Sequence, residues 1–250
     1  MGFTGTKKQA ASFALDNLNA VFIRKEPPFD NEYLYALQLL SALDERVFVL
    51  NNPAGIAMCN EKLFILEFKE FIPQSFVSEN TGELRKFIRS LKSPAVVKPL
   101  NNKGGAGIFV TRTQDRNLPS LLDQITKNGS QKVMAQRYIP HDRAGDKRIL
   151  LLDGDPLGCF VRRPSKTDFR ANLSVGGTMG RAALSARDGQ ILQALKPKLL
   201  EHGLHFVGID VIGGYLSEIN VTSPSGIPEL RQLTGQKLEK KVVDFIEKVR

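Results

Sequence analysis

At 250 residues, 42% of them apolar and 24% charged, the chain is long enough for one large domain or two modest ones and has an ordinary globular composition. A formal charge of +9, from 35 basic and 26 acidic side chains, suits a polyanionic ligand, but the basic residues are scattered, do not interleave with aromatics and form no nucleic-acid-binding motif, so nucleic acid is set aside. No apolar run nears the ~18 residues of a membrane span, the first residues lack a signal-peptide core, and Cys59 and Cys159 stand outside any C-x-x-C pattern; membrane, zinc site and disulfide framework are excluded, and a reducing cytoplasm is the simplest home.

In chain order, residues 19–50 read as strand, helix, strand. An apolar strand at 20–24 leads through Lys25-Glu26-Pro27-Pro28 to Asp30, placed to cap a helix over 32–43 whose Leu34, Leu37, Leu40 and Leu43 recur at helical spacing. A strand at 46–50 follows, closed by Asn51-Asn52-Pro53. One βαβ unit cannot make a stable sheet alone. Arg24, Lys25 and Glu26 read as solvated charges at a strand end. A helix is expected over 56–68, an extended piece over 71–78 and an amphipathic helix over 81–91. The strand 94–100 carries Lys98 pinned by Pro99, and the glycine-rich stretch 101–108 leads to a strand at 108–111. A helix over 118–128 and a strand over 133–138 come next. Residues 146–152 and 158–163 form a hairpin turned at Asp153-Gly154. The polar, glycine-rich stretch 164–180 has no periodicity and reads as a long mobile loop of the lid kind. A helix over 184–202, interrupted by Pro197, and a closing helix over 235–249 complete the chain.

The stretch 206–224 reads as two strands joined through Gly213 and Gly214, and it carries Asp210, Glu218 and Asn220. Two carboxylates and an amide carbonyl are a hard-oxygen set suited to Mg2+, which normally completes its shell with waters and substrate phosphates. Glu218 and Asn220 share a strand face; Asp210 joins them if Ile212-Gly213-Gly214 forms a three-residue loop, whereas a two-residue turn would pair Asp210 with Ser217. Alone, this spacing also fits surface acids on an exposed hairpin. The alternating Val207, Ile209, Val211, Ile219 and Val221 commit one face to a core and the other to polar work.

Lys98 beside a glycine-rich loop is a phosphate-handling arrangement, although neither a Walker A loop nor a dinucleotide fingerprint is present and a plain hairpin turn is the competing reading. Arg148 lies within a strand, Arg162 and Arg163 end the next, and Arg170 sits in the long loop; guanidinium groups near a phosphate loop suit charge that develops in phosphoryl or acyl transfer. His141, His202 and His205 show no ligand pattern.

The segments NEKLF, VKPLNNKGGAGIF, MAQRYIP, GDKRILLLDGDP, FVGIDVIG and LSEINVTSP occur in this order from about residue 19 to the C-terminus. Together they resemble the prokaryotic-type glutathione synthetase family of ATP-grasp ligases. The resemblance implies an α/β (α+β) ATP-grasp fold with two α/β subdomains clamping ATP. Residues 1–53 would be a remnant of the N-terminal βαβ domain, 54–138 the first subdomain, and 139–250 the second, with a lid at 164–180. It further implies that Lys62 and Lys98 contact the ATP phosphates, that Gly104, Gly105 and Gly107 close over them, and that Gln136, Arg137, Tyr138 and Ile139 form the adenine hinge. Mg2+, or Mn2+ in its place, falls to Asp210, Glu218 and Asn220. Arg148 and Arg163 face the reacting carboxylate, and Arg170 belongs to the lid. The implied reaction passes the γ-phosphate of ATP to the cysteinyl carboxylate of γ-glutamylcysteine, and the amine of glycine then takes the acyl group.

Three departures from the family pattern bear on this reading. Members usually start with a further βαβ portion, and only about twenty residues precede the strand at 20–24; the exposed sheet edge this leaves would need a partner, so a homo-oligomer is expected. Gly176-Gly177-Thr178-Met179-Gly180 stands where the family has Gly-Gly-Arg-Gly-Glu, which leaves open whether Arg181 substitutes. Ser225-Gly226-Ile227-Pro228 replaces a more charged stretch. These departures keep two alternatives in view: an ATP-grasp ligase for another peptide or amino acid, and a non-catalytic nucleotide-binding protein.

Overall fold

Three sheets organise the computed structural model, which describes residues 14–102, 104–140, 145–165 and 167–249; His141 lies outside these. The first sheet is the small parallel pair β1 (Ala20–Phe22) and β2 (Phe48–Leu50), joined by α1 (Asn31–Ser41). Asp30 caps α1 as expected, its carboxylate accepting from Tyr33 N at 2.8 Å, and Tyr33 and Leu37 are buried beneath it. Asn51 ties this unit to the rest: its amide donates to Phe206 O at 2.7 Å and Val221 O at 3.0 Å and accepts from Phe206 N at 2.7 Å.

After α2 (Pro53–Met58) the second, antiparallel sheet runs in the order β3-β6-β4-β5, from β3 (Ser75–Ser78), β4 (Ala95–Pro99), β5 (Phe109–Thr111) and β6 (Val133–Arg137). Helices α3 (Thr81–Ser90) and α4 (Leu118–Ile125) cover one face through Leu84, Ile88 and Leu122, which pack on Val97, Val133 and Ala135. The helix expected over 56–68 is not formed. The Asn60 side chain accepts through Oδ1 from Lys62 N and Leu63 N, at 3.0 and 3.1 Å, and the chain turns before a short 3-10 segment at Phe64–Glu67. Local side-chain bonding of this kind competes with helix, and here the break aims Lys62 at the interior.

The third sheet is five-stranded and antiparallel, in the order β11-β10-β7-β8-β9: β7 (Asp146–Leu152), β8 (Asp155–Arg163), β9 (Thr178–Arg181), β10 (Phe206–Ile212) and β11 (Tyr215–Asn220). Ile149, Leu151, Val207 and Ile209 meet Ile191, Leu195 and Leu199 of α5 (Ala186–Glu201), which runs unbroken through Pro197. The long stretch 164–180 is not wholly irregular, since β9 pairs with β8 from Phe160↔Arg181 to Arg163↔Thr178. Helix α6 (Ile227–Thr234) was not foreseen; Pro228 falls in its first turn, where a missing N–H costs nothing, and α7 (Leu238–Val249) closes the chain. Among the described residues, no helix is long and apolar enough to cross a membrane.

Candidate active site

The turn between β10 and β11 has two residues, Gly213 and Gly214, not three: Ile212 pairs with Tyr215 and Val211 with Leu216. Both glycines hold positive φ, 57° and 80°, as a tight hairpin turn of the right twist demands. The parity problem is solved one step later. The register shifts between Asp210 and Val211, so Ser217 bulges from β11 and Asp210 comes directly opposite Glu218. Asn220 donates to Gly208 O at 3.2 Å and leans on Asp210 Oδ2 at 3.4 Å.

Two lysines reach the same place, Lys98 from β4 and Lys62 from the turn between α2 and the 3-10 segment. Lys62 Nζ lies 2.7 Å from Glu218 Oε1 and donates to Asn102 O at 2.8 Å. Burial lowers its proton affinity, but Glu218, with Glu61 and Asp210 behind it, more than offsets this and raises the pKa. Lys98 is different. It is 7% exposed, and its hydrogen bonds go to two neutral atoms, Gln136 Oε1 at 3.0 Å and Ser217 Oγ at 3.1 Å. With no carboxylate in salt-bridge contact among the described residues, desolvation dominates and pushes its pKa down.

Asp210 is clasped by two guanidinium groups. Arg148 donates Nε to Oδ1 at 2.7 Å and Nη2 to Oδ2 at 3.2 Å, while Arg162 Nη2 lies 2.9 Å from Oδ1 and 2.6 Å from Asp146 Oδ2. Burial pushes the Asp210 carboxyl up, and Arg148 and Arg162 pull it further the other way, to about 2. Strand alternation explains which arginine participates. Asp146 pairs with Arg162 and Arg148 with Phe160, so Arg162 shares the inward face and Arg163 points away. Arg163 is exposed, beside Gly145 and Gly180.

Lys62, Lys98, Gly104, Gly105, Gln136, Arg137, Tyr138, Ile139, Arg148, Asp210, Glu218 and Asn220 therefore line one cleft between the two larger sheets, together with Arg162, and Gly107, Arg163 and Arg170 do not. Val96, Ile108, Tyr138 and Phe169 add apolar lining to the same cleft, with the Tyr138 and Phe169 rings edge-on at 6.5 Å. Arg170 is held by Asp168 (Nη2 to Oδ2, 2.6 Å) and donates Nη1 to Gly105 O at 3.2 Å, which joins the long loop to the glycine loop. Gly105 must stay glycine: at φ 77° a Cβ would meet Arg170 and Asn172 at 2.9 Å. Arg181 does not turn inward, and its Nε donates to Leu233 O at 2.9 Å.

The donor set fits a divalent ion shared with phosphates. Among the described residues no three His, Cys, Asp or Glu side chains could hold a metal unaided. Two carboxylates and an amide carbonyl are what Mg2+ uses when phosphates and waters complete its shell. Lys98, buried beside them and hydrogen-bonded only to neutral atoms, adds a group that suits an anion.

A family model described as the prokaryotic glutathione synthetase ATP-grasp domain matches residues 61–235, and one described as the prokaryotic glutathione synthetase N-terminal domain matches residues 4–57. The chain belongs to the prokaryotic glutathione synthetase family. A glutathione synthetase of Synechocystis sp. is 46% identical over 236 residues, covering 94% of this chain and 73% of that one. Among solved structures, D-cycloserine synthetase DcsG superposes with a TM-score of 0.74 at 13% identity over 95% of this chain and 87% of its own. The D-alanine–D-alanine ligase of Bacillus anthracis complexed with ATP superposes with a TM-score of 0.63 at 19% identity, over 93% and 80%. The fold is thus ATP-grasp, as the motifs implied.

The glutathione synthetase motifs also carry residues that pattern reading passed over. Glu61, beside Lys62, is half-buried and accepts through Oε1 from Val221 N (3.1 Å), Thr222 N (3.2 Å) and Thr222 Oγ1 (2.7 Å), holding the end of β11 in place. Burial first, and Glu218 nearby, raise its pKa. Asp146 and Arg162 were legible from strand parity once the pairing of β7 with β8 was known; Ser217 was not, because nothing in the sequence marks the bulge.

Proposed function

We propose that this cleft joins γ-glutamylcysteine to glycine at the expense of ATP, making glutathione through an acyl phosphate. The observation that carries the reading is Lys98, a buried lysine with neutral hydrogen-bond partners, in a cleft that Asp210 and Glu218 line together with the apolar Val96, Ile108 and Phe169. A phosphate chain placed between the sheets supplies the missing negative charge. Lys62 and Lys98 hold its oxygens, and the Gly104-Gly105 backbone lies over them. Gln136 to Ile139, with Phe169, seat the adenine. Asp210, Glu218 and Asn220 would hold Mg2+, or Mn2+, which when bound neutralises the phosphate oxygens and lines them up for transfer.

Arg148 and Arg162 have the charge to orient the cysteinyl carboxylate toward the γ-phosphate. The carboxylate oxygen attacks phosphorus as ADP leaves; the glycine nitrogen then attacks the acyl carbon, loses a proton, and phosphate departs. The two arginines sit where the oxyanion of that second step develops. Arg170, linking the loop 164–180 to Gly105, keeps water from an intermediate that would otherwise hydrolyse. Thr178, which suggested a different peptide, is exposed on β9 and lines neither this cleft nor the cavity beyond it.

Domain limits of 1–53, 54–138 and 139–250 suit this scheme. The free thiols of Cys59 and Cys159 suit a reducing cytoplasm. A homo-oligomer is the assembly we propose, on the narrow β1–β2 sheet and the exposed Phe22, which light scattering would check. The activity is tested by phosphate release from Mg-ATP with γ-glutamylcysteine and glycine each omitted in turn. Release that needs both supports the reading; release that is indifferent to glycine contradicts it.

A further inference from the structure

The positive charge of the chain is not evenly spread. Residues 81–132 hold ten Lys or Arg and three Asp or Glu, which is seven of the nine net charges. The cleft takes Lys98 from this stretch. The fold gathers three others, Arg89, Lys92 and Arg112, around a separate cavity of about 400 Å³, a size within the ~300–1,000 Å³ of small-molecule sites. This cavity shares no lining residue with the cleft.

Two elements converge on it. Arg89 lies in the last turn of α3 and Lys92 two residues beyond its end, whereas Arg112 follows the end of β5. Cations at a helix C-terminus suit its dipole, which accounts for Arg89 and Lys92 but not for Arg112 joining them. Lys92 also breaks a local rule. It follows the C-cap Leu91 at φ 51°, a left-handed position that glycine fills at least cost. A lysine there supplies charge where the backbone alone asks for glycine, and backbone outliers of this kind cluster at functional sites. No carboxylate lines the cavity, and none of the three cations forms an ion pair among the described residues. Asp115, the acid nearest to them in sequence, is turned to its own loop, accepting from Thr111 Oγ1 at 3.1 Å and Asn117 N at 2.9 Å.

Like charges brought together without a counter-charge repel one another, and an anion between them removes that cost. We propose that Arg89, Lys92 and Arg112 form a binding site, apart from the ATP cleft, for a small, multiply charged oxyanion of the phosphate class. Two guanidinium forks and one ammonium match the oxygens of tetrahedral phosphate groups, and the Thr113 hydroxyl and Gln114 amide in the same wall add neutral donors. A concave site of this size favours a compact ligand over an extended polyanion. All three cations are exposed, so the affinity falls as salt rises.

The test is titration calorimetry of the full chain with inorganic pyrophosphate in Mg2+-free buffer. It is run on Lys98→Met, which weakens the cleft for anions, with and without Arg89→Gln and Arg112→Gln. Lys98→Met alone is expected to bind pyrophosphate, more weakly as salt is raised. Adding the two arginine substitutions is expected to weaken binding at least ~10-fold, the scale of one charge-assisted hydrogen bond lost, at an unchanged melting temperature. Binding by the wild type that vanishes in Lys98→Met would put the anion in the cleft and overturn the proposal. Binding that persists at full strength without the two arginines overturns it as well, and so does no binding by any form. A single-stranded RNA oligomer that binds through the two arginines where pyrophosphate does not overturns the choice of a small ligand.

Discussion

Arg162 and Asp210 approach to 2.9 Å across the central sheet, with Arg148 on the same carboxylate at 2.7 Å. One aspartate thus orders two guanidinium groups, leaving them aimed at the cleft that Asp146 also lines. Removing one member of such a buried set costs about 3–5 kcal/mol, because charge is left unpaired. Arg162→Ala should therefore lower stability by an amount of that order in urea denaturation and cut kcat/KM by on the order of 100-fold or more. Arg163→Ala, one residue on but facing outward, should change both by little. Equal effects from the two variants would contradict the assignment.

Lys98→Met separates binding from folding. The lysine is buried against neutral partners, so its removal should leave the ligand-free protein within about 1 kcal/mol of wild type. Mg-ATP affinity, followed by calorimetry, should fall at least ~10-fold, since a desolvated ammonium contributes strongly to an anion.

Much of this was legible in the sequence, and the exceptions share a cause. Asp30 capping, the Asp153-Gly154 hairpin and Lys98 at a strand end follow from local chemistry, and the structure has them all. Arg163 was assigned to the reacting carboxylate in place of its neighbour Arg162 because the end of β8 could be read in either parity, and only pairing with Asp146 fixes it. The expected three-residue loop failed because a bulge at Ser217 achieves the same alignment, and bulges are set by the sheet as a whole. The break at Asn60 and the helix α6 turn on single side-chain bonds and a proline position that periodicity does not register.

Asp188 gives a pH signature away from the cleft. It closes the capping box of α5 with Ser185 and pairs with Lys147; burial pushes its carboxyl up, but Lys147 and Ser185 together pull it below its usual value. A lowered folded pKa adds stability that is complete above the ordinary carboxylate range near 3.8 and is lost as pH falls below it. Asp188→Asn should cost about 1.5–3 kcal/mol at pH 7, and the gap from wild type should close progressively below pH ~4 in denaturant titrations. A gap independent of pH would contradict this.

Glu61 holds the end of β11, and its role is as an acceptor of three hydrogen bonds. Glu61→Gln keeps a carbonyl oxygen there and should retain most of the melting temperature. Glu61→Ala strands two backbone N–H groups and should lose about 2–4 kcal/mol, with slowed turnover as Asn220 loses its anchor. Similar melting curves for the two variants would show that the contact is incidental.

Isotope transfer tests the central claim most directly. With γ-glutamylcysteine carrying 18O in its cysteinyl carboxylate, an acyl phosphate passes one labelled oxygen to the released phosphate for each glutathione formed. Mass spectrometry of both products should show that one-to-one transfer. Glutathione accompanied by unlabelled phosphate would contradict the acyl-phosphate route, and labelled phosphate without glutathione would contradict glycine as the acceptor.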